Sequence, residues 1–152
     1  MNADRIREAR LEVAAEHTHV RTLVGELARE ALQTGHKVRH RGLRARLIAL
    51  RAAIERANDV EERELVPLLE TADAWGAARV ERIRERHARV LGVLRAFEAD
   101  VAPERHGPCD VVARIDALVA ALEVEIDEEE GAAAMAERRS EGDTVTDDQE
   151  DA

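Results

Sequence analysis

The sequence predicts an all-α fold, an antiparallel up-and-down bundle of four helices. Three features lead there. The 152 residues are rich in Ala, Arg, Glu and Leu and hold only 8 glycines and 3 prolines, a balance that favours helices packed through aliphatic side chains. Four long stretches repeat apolar residues at the helical period. Short breaks separate them, so consecutive helices must turn back on one another.

The first helix is expected from about Asp4 to Thr34, on the stripe Ile6, Val13, Val20, Val24, Leu27 and Ala31. His17 falls inside that stripe, four residues after Val13 and three before Val20. Gly35 stops the helix, and a short basic linker reaches Gly42. The second helix is expected from about Leu43 to Ala72, through Leu47, Leu50, Ile54, Ala57, Glu61, Leu65 and Leu68, with Pro67 kinking its last turn. Asp73 is placed to cap the third helix, with Trp75 packing near the turn. That helix continues to about Val101 along Val80, Ile83, His87, Val90, Leu91, Leu94 and Phe97. Pro103, Gly107 and Pro108 mark the next loop, and Asp110 can cap the fourth helix. It runs to about Arg138 through Val111, Ile115, Leu118, Leu122, Glu125, Glu129, Ala132 and Ala133.

Charge and composition exclude several classes of function. The net charge is −10, and residues 140–152 contain six acids and no base. Residues 1–139 are therefore expected to form the bundle, and 140–152 a disordered acidic tail without core residues. So acidic a chain is a poor binder of nucleic acid or anionic membrane. The arginines alternate with glutamates, as on solvated helix faces with i,i+4 pairs. Cys109 is the only cysteine, so an intrachain disulfide is impossible and a cysteine-based zinc site is not expected. No apolar signal region precedes Asp4, and no apolar run approaches the roughly 20 residues of a membrane span. The cytoplasm is the expected location. No Gly-rich phosphate loop or Ser/His/Asp arrangement suggests a hydrolase or transferase.

The informative residues are the ionisable ones on the apolar stripes: His17, Glu61, His87 and Glu129, with Glu125 one turn before the last. Such groups are rarely buried without a partner or a metal. Helix lengths place them at one depth. His17 lies 17 residues before Thr34 and Glu61 lies 18 after Leu43. Glu61 and His87 are comparably far from the turn near residue 73. Imidazoles and carboxylates that converge from facing helices are how bundles build metal sites, and neutral imidazole suits iron, zinc, copper or manganese. The competing account has satisfied core histidines and glutamates that belong to solvated charge runs, since Glu62, Glu64, Glu128 and Glu130 flank the candidates. His19 faces away from His17, and His36, His40 and His106 are expected in loops.

Four stretches resemble the hemerythrin-like, HHE cation-binding family. Glu16-His-Thr-His-Val-Arg21 is similar to its first-helix "E-H-x-x-[IV]-R" segment, Glu61-Glu-Arg-Glu-Leu-Val-Pro67 to "E-E-x-x-L-[FV]-P", and Arg86-His-Ala-Arg-Val-Leu91 to the third-helix histidine segment. Leu122-Glu-Val-Glu-Ile-Asp-Glu-Glu-Glu130 resembles "L-x-x-H-I-x-x-E-E", with Glu125 where the family has histidine. The resemblance implies a non-haem di-iron centre with His17 and His87 as terminal ligands and Glu61 and Glu129 as bridges. Two histidine positions depart from it. One is Ala57, which ligates nothing, and the other is Glu125, which can ligate as a harder anion.

Three outcomes follow: a carboxylate-rich di-metal centre, a mononuclear remnant, or a dead site in a bundle kept for another purpose. The expected function is metal binding through His17, Glu61, His87, Glu125 and Glu129, with non-haem iron favoured and manganese or zinc as alternatives. The resemblance implies handling or sensing of dioxygen, peroxide or nitric oxide, with the small molecule as the metal's partner. The alternative is a metal-free bundle acting as an interaction or regulatory module.

Overall fold

The computed structural model describes the backbone of residues 3–34, 40–101 and 108–145, and the side chains of 4–30, 42–101 and 111–139. The expectations for His36 and His106 lie outside the described residues, as do those for the side chains of His40, Cys109 and Asp110. Among the described residues the chain is helical without strands: α1 (Ala3–Thr34), α2 (His40–Glu64), α3 (Val66–Ala72), α4 (Gly76–Val101) and α5 (Pro108–Val145).

The four long helices form a bundle in which α1 and α4 each pack against α2 and α5. Inter-helix ion pairs show the chain directions. Along α1 and α2, Arg5 meets Glu64, Glu12 meets Arg63, Glu16 meets Arg56 and Glu26 meets Arg46. Rising numbers on one helix pair with falling numbers on the other, so the two run antiparallel. Arg84 with Glu62 and Arg51 with Glu98 do the same for α2 and α4. Arg10 with Glu137 and Arg21 with Asp127 set α1 antiparallel to α5. Exposed pairs of this kind add little stability each, and the aliphatic stripes beneath them supply the driving force.

Several local features differ from the sequence expectation. His40 and Pro108, expected in loops, begin α2 and α5, and Asp110, expected to cap the fourth helix, lies inside its first turn. The predicted second helix divides at Leu65, and α3 begins anew with Pro67 in its first turn. Proline has no N–H to donate and its ring crowds the carbonyl four residues back, so the preceding helix ends there. Leu68 and Leu69 instead donate to the Leu65 carbonyl, at 3.1 and 3.0 Å. At the next corner Asp73 Oδ1 accepts from the Trp75 N–H at 2.8 Å, just ahead of α4, and Arg79 and Arg139 also pair with Asp73. The Trp75 side chain is 71% exposed rather than packed at that turn. At the same end of the bundle, α5 runs to Val145, past the expected stop near Arg138; residues 146–152 lie outside the described residues.

The core falls into two apolar clusters. One includes Val20, Val24, Leu27, Leu47, Leu50, Ile54, Leu94, Ile115, Leu118 and Ile126. The other includes Val13, Val60, Leu65, Leu69, Val80, Ile83 and Ala133. On each long helix the residue between the clusters is His17, Glu61, His87 or Glu129, all buried. A polar layer therefore crosses the middle of the bundle.

Glycine substitutions test the packing. A Cβ at Gly92 or Gly131 would meet nothing within 4 Å, whereas one at Gly76 would collide with the Leu69 carbonyl oxygen and lie 2.7 Å from that of Glu70. Gly92→Ala and Gly131→Ala should each stabilise the protein by about 0.5–1 kcal/mol by restricting the unfolded chain. Gly76→Ala should destabilise it by about 1–3 kcal/mol through overpacking. Urea denaturation of the three variants measures both signs.

Candidate metal centre

Each long helix contributes a side chain to the central layer because its apolar stripe is interrupted there by a titratable residue, and α5 is interrupted a second time at Glu125. His17 sits one turn from Val13 and from Val20, His87 between Ile83 and Val90, and Glu129 between Ile126 and Ala133. Glu61 continues the α2 stripe one turn after Ala57. His17, Glu61 and Glu129 are at most 2% exposed and His87 is 7% exposed, so none of the four is solvated as a surface charge would be.

The four side chains form a closed arrangement. His17 Nε2 lies 2.8 Å from Glu61 Oε1 and 3.4 Å from Glu129 Oε2. His87 Nε2 lies 3.0 Å from Glu61 Oε2 and 3.1 Å from Glu129 Oε1. Each carboxylate thus stands between the two imidazoles. Glu61 Oε2 is off the hydrogen-bonding direction despite its closeness to His87, so it is buried without a hydrogen bond, as is Glu125 Oε2.

A second set of contacts holds His17 from behind. Its Nδ1 is 3.3 Å from Glu130 Oε1, and the same oxygen accepts from Arg21 at 2.7 Å. A carboxylate behind one ring nitrogen fixes the imidazole and aims the other nitrogen, which is the usual support for a metal-binding histidine. Sequence reasoning missed this role, because Glu130 looked like part of a solvated charge run. The signal was available: Arg21 and Glu130 end the same two motifs that carry His17 and Glu129.

Of the other flanking acids, Glu62 and Glu128 are partly exposed and pair with Arg84 and Arg86, while Glu64, only 10% exposed, pairs with Arg5 and Arg63. His19 is exposed. Glu125 is buried, and Ala57, Asn58 and Glu125 share the lining of a cavity of about 20 Å³ with His17, Glu61 and Glu129. That is room for about one water molecule. Val20, Leu122 and Ile126 line this cavity and also a larger apolar hollow of about 320 Å³ between α1 and α5.

Electrostatics follow from this geometry. Burial alone would push the imidazoles down, but the close carboxylates of Glu129 and Glu61 outweigh it, so His17 and His87 each rise to about 10. Burial would raise Glu61, yet hydrogen bonding to His17 and the proximity of His87 leave it lowered. Glu125 has no such partner; burial, then the nearby charge of Glu129, raise it to about 7. A metal-free layer is therefore two imidazoliums facing carboxylates, with a reluctant acid beside them.

Two groups of donor atoms meet the spacing of a metal site, His17 with Glu61 and Glu129, and His87 with Glu125 and Glu129; within each group the atoms lie within 4.8 Å of one another. The groups overlap at Glu129. All five residues singled out from the sequence are brought together, while Ala57 supplies only space. The hemerythrin HHE cation binding domain family matches residues 11–136 of the 152. The chain belongs to that family, as a helical bundle carrying buried His/Glu groups able to hold a metal ion. No curated protein and no solved structure matches the chain.

The layer makes stability depend on pH in the metal-free protein. For both histidines the folded pKa exceeds the ordinary 6.5, so their contribution is complete below pH 6.5 and is lost as pH rises toward 10. The Glu61 contribution is present above its ordinary 4.5 and is lost on acidification. Glu125, raised from 4.5 to about 7, takes away stability as pH rises through that window. The thermal midpoint of chelator-treated protein should therefore peak near pH 5 and fall steadily to pH 10; scanning calorimetry across that range checks it. Removing one partner should expose the cost of an unpaired buried charge. His17→Leu should destabilise the metal-free protein by about 3–5 kcal/mol, and the His17→Leu/Glu61→Leu double variant by less than the sum of the singles. Denaturation of the set completes that cycle.

Proposed function

We propose that the chain is a hemerythrin-like iron protein in which a non-haem centre, di-iron in its full form, is held by His17, Glu61, His87, Glu125 and Glu129. The observation that carries this reading is the overlap of two buried His/Glu groups at Glu129. A pair of cations there would share that carboxylate, and Glu61, which lies between the same two imidazoles, is placed to bridge as well. The donor set fits a cation: two imidazole nitrogens face inward, one is backed by Glu130, and buried oxygens of Glu61 and Glu125 lack hydrogen-bond donors. With three carboxylates and two imidazoles it suits harder ions than a histidine-rich set would, so manganese or zinc are the alternatives to iron.

Iron bound there would supply redox chemistry at open coordination positions, which suits the handling or sensing of dioxygen, peroxide or nitric oxide. The residues shape what can approach. Ala57 leaves a cavity of about 20 Å³ on the side where Glu125 stands, and Val20, Leu122 and Ile126 separate it from the apolar hollow between α1 and α5. An uncharged small molecule fits such surroundings, while a bulky or charged one does not. On this reading residues 1–139 are the working bundle and 140–152 an acidic tail, in a protein of the cytoplasm. Among the described residues no helix is long and apolar enough to cross a membrane.

One observation favours a second reading. Each imidazole hydrogen-bonds a carboxylate without any ion, His17 to Glu61 and His87 to Glu129, so the bundle can stand metal-free as an interaction module. Elemental analysis separates the two readings, using protein purified without chelator or metal-affinity resin and reconstituted with ferrous iron. The proposal expects two irons per chain, lost in Glu61→Ala/Glu129→Ala, with chelation lowering the thermal midpoint of the parent. One ion per chain would reduce the centre to a mononuclear one. No bound metal after exposure to iron, manganese and zinc would leave the metal-free module.

A further inference from the structure

A second hollow, of about 460 Å³, opens between α4 and α5, and none of the five central ionisable residues lines it. Its floor is apolar: Ile83 is buried, Ala132 is half-buried and Met135 is 43% exposed. Its rim is cationic, with Arg79, Arg82 and Arg86 from α4 and Arg138 from α5. The outer two α4 guanidiniums are engaged, Arg79 with Asp73 and Arg86 with Glu128. Arg82 and Arg138 meet no carboxylate among the described residues; the Arg82 Nε–H donates only to the Ala78 carbonyl of its own helix, at 3.4 Å. In a chain of net charge −10, where most described arginines meet an acid, two such guanidiniums on facing helices leave positive charge above an apolar floor.

We propose that this groove binds a small amphiphilic anion. Arg82 and Arg138 hold a carboxylate or phosphate head, and an apolar body lies along Ile83, Ala132 and Met135. Size sets the class of ligand. The volume is that of a small-molecule site, and Arg79 to Arg86 spans only about two helical turns, roughly 10 Å. An extended peptide would overrun it. The ion pairs at Arg79 and Arg86 engage the guanidiniums at its two ends, and Arg82 between them, with Arg138 across the groove, remains for the head group, where a planar guanidinium fork suits either oxyanion.

The test uses the full chain labelled at the methionine methyls, where Met135 reports from the groove floor. Octanoate and octyl phosphate are titrated beside acetate, inorganic phosphate and octanol. The proposal expects a saturable shift of the Met135 methyl with one of the two amphiphiles, and the tighter one identifies the head group. Acetate, phosphate and octanol should each bind at least tenfold more weakly. Arg82→Ala/Arg138→Ala should weaken the amphiphile at least tenfold, and Gly131→Leu, which fills the groove from a position where a Cβ meets nothing, should do the same while circular dichroism shows an intact bundle. No shift with either amphiphile at millimolar concentration would overturn the proposal. So would octanol binding as tightly as octanoate, or an unchanged affinity in the double arginine variant.

Discussion

The buried ion-pair layer is the constraint on which the bundle depends. Taking two imidazoles and two carboxylates out of water costs several kcal/mol per charge unless each finds an opposite partner in good geometry. Here each imidazole nitrogen that faces inward lies within 3.4 Å of both carboxylates. That requirement fixes the register of all four long helices at once. A one-turn slip of α1, α2 or α4 would move its polar residue into an apolar cluster and bring an aliphatic one into the layer. The two halves of the core on either side can tolerate hydrophobic exchange far more readily than the layer can tolerate displacement.

The layer is asymmetric, and the asymmetry has a structural address. Ala57 and Glu125, the two positions where the family pattern has histidine, line one small cavity on the side of the larger apolar cluster. The losses are therefore not scattered through the centre. On the retained side, His17 and His87 keep two carboxylates between them and Glu130 braces His17. On the altered side stand a missing side chain and an acid raised to about 7 by burial and its neighbour Glu129. Protons and metal cations compete for the same nitrogens, because imidazole must be neutral to ligate. Metal affinity at such a centre rises with pH while the stability of the metal-free bundle falls.

Much of this was legible in the sequence. Helical period alone located the stripes, and counting residues from the turns placed His17, Glu61, His87 and Glu129 at one depth, because helix rise is constant. What escaped was set by tertiary contact. Leu65 separates α2 from α3 where a kink was expected, since the cost of Pro67 falls on the turn before it. Glu130 cannot be told from a solvated glutamate by periodicity, because its role depends on Arg21 and His17 of another helix. Trp75 reads as a packing residue by type, yet the corner it occupies faces solvent. The groove between α4 and α5 has no linear signature, because Arg82 and Arg138 face it from separate helices.

The central claim is that the buried layer is a cation site built around Glu129. The most direct test is anomalous diffraction at the iron edge from crystals grown anaerobically with ferrous iron. The account predicts strong peaks inside the bundle, one among His17, Glu61 and Glu129 and a neighbour among His87, Glu125 and Glu129. An empty core with the histidine–glutamate contacts intact, or iron held only by surface carboxylates, would contradict it.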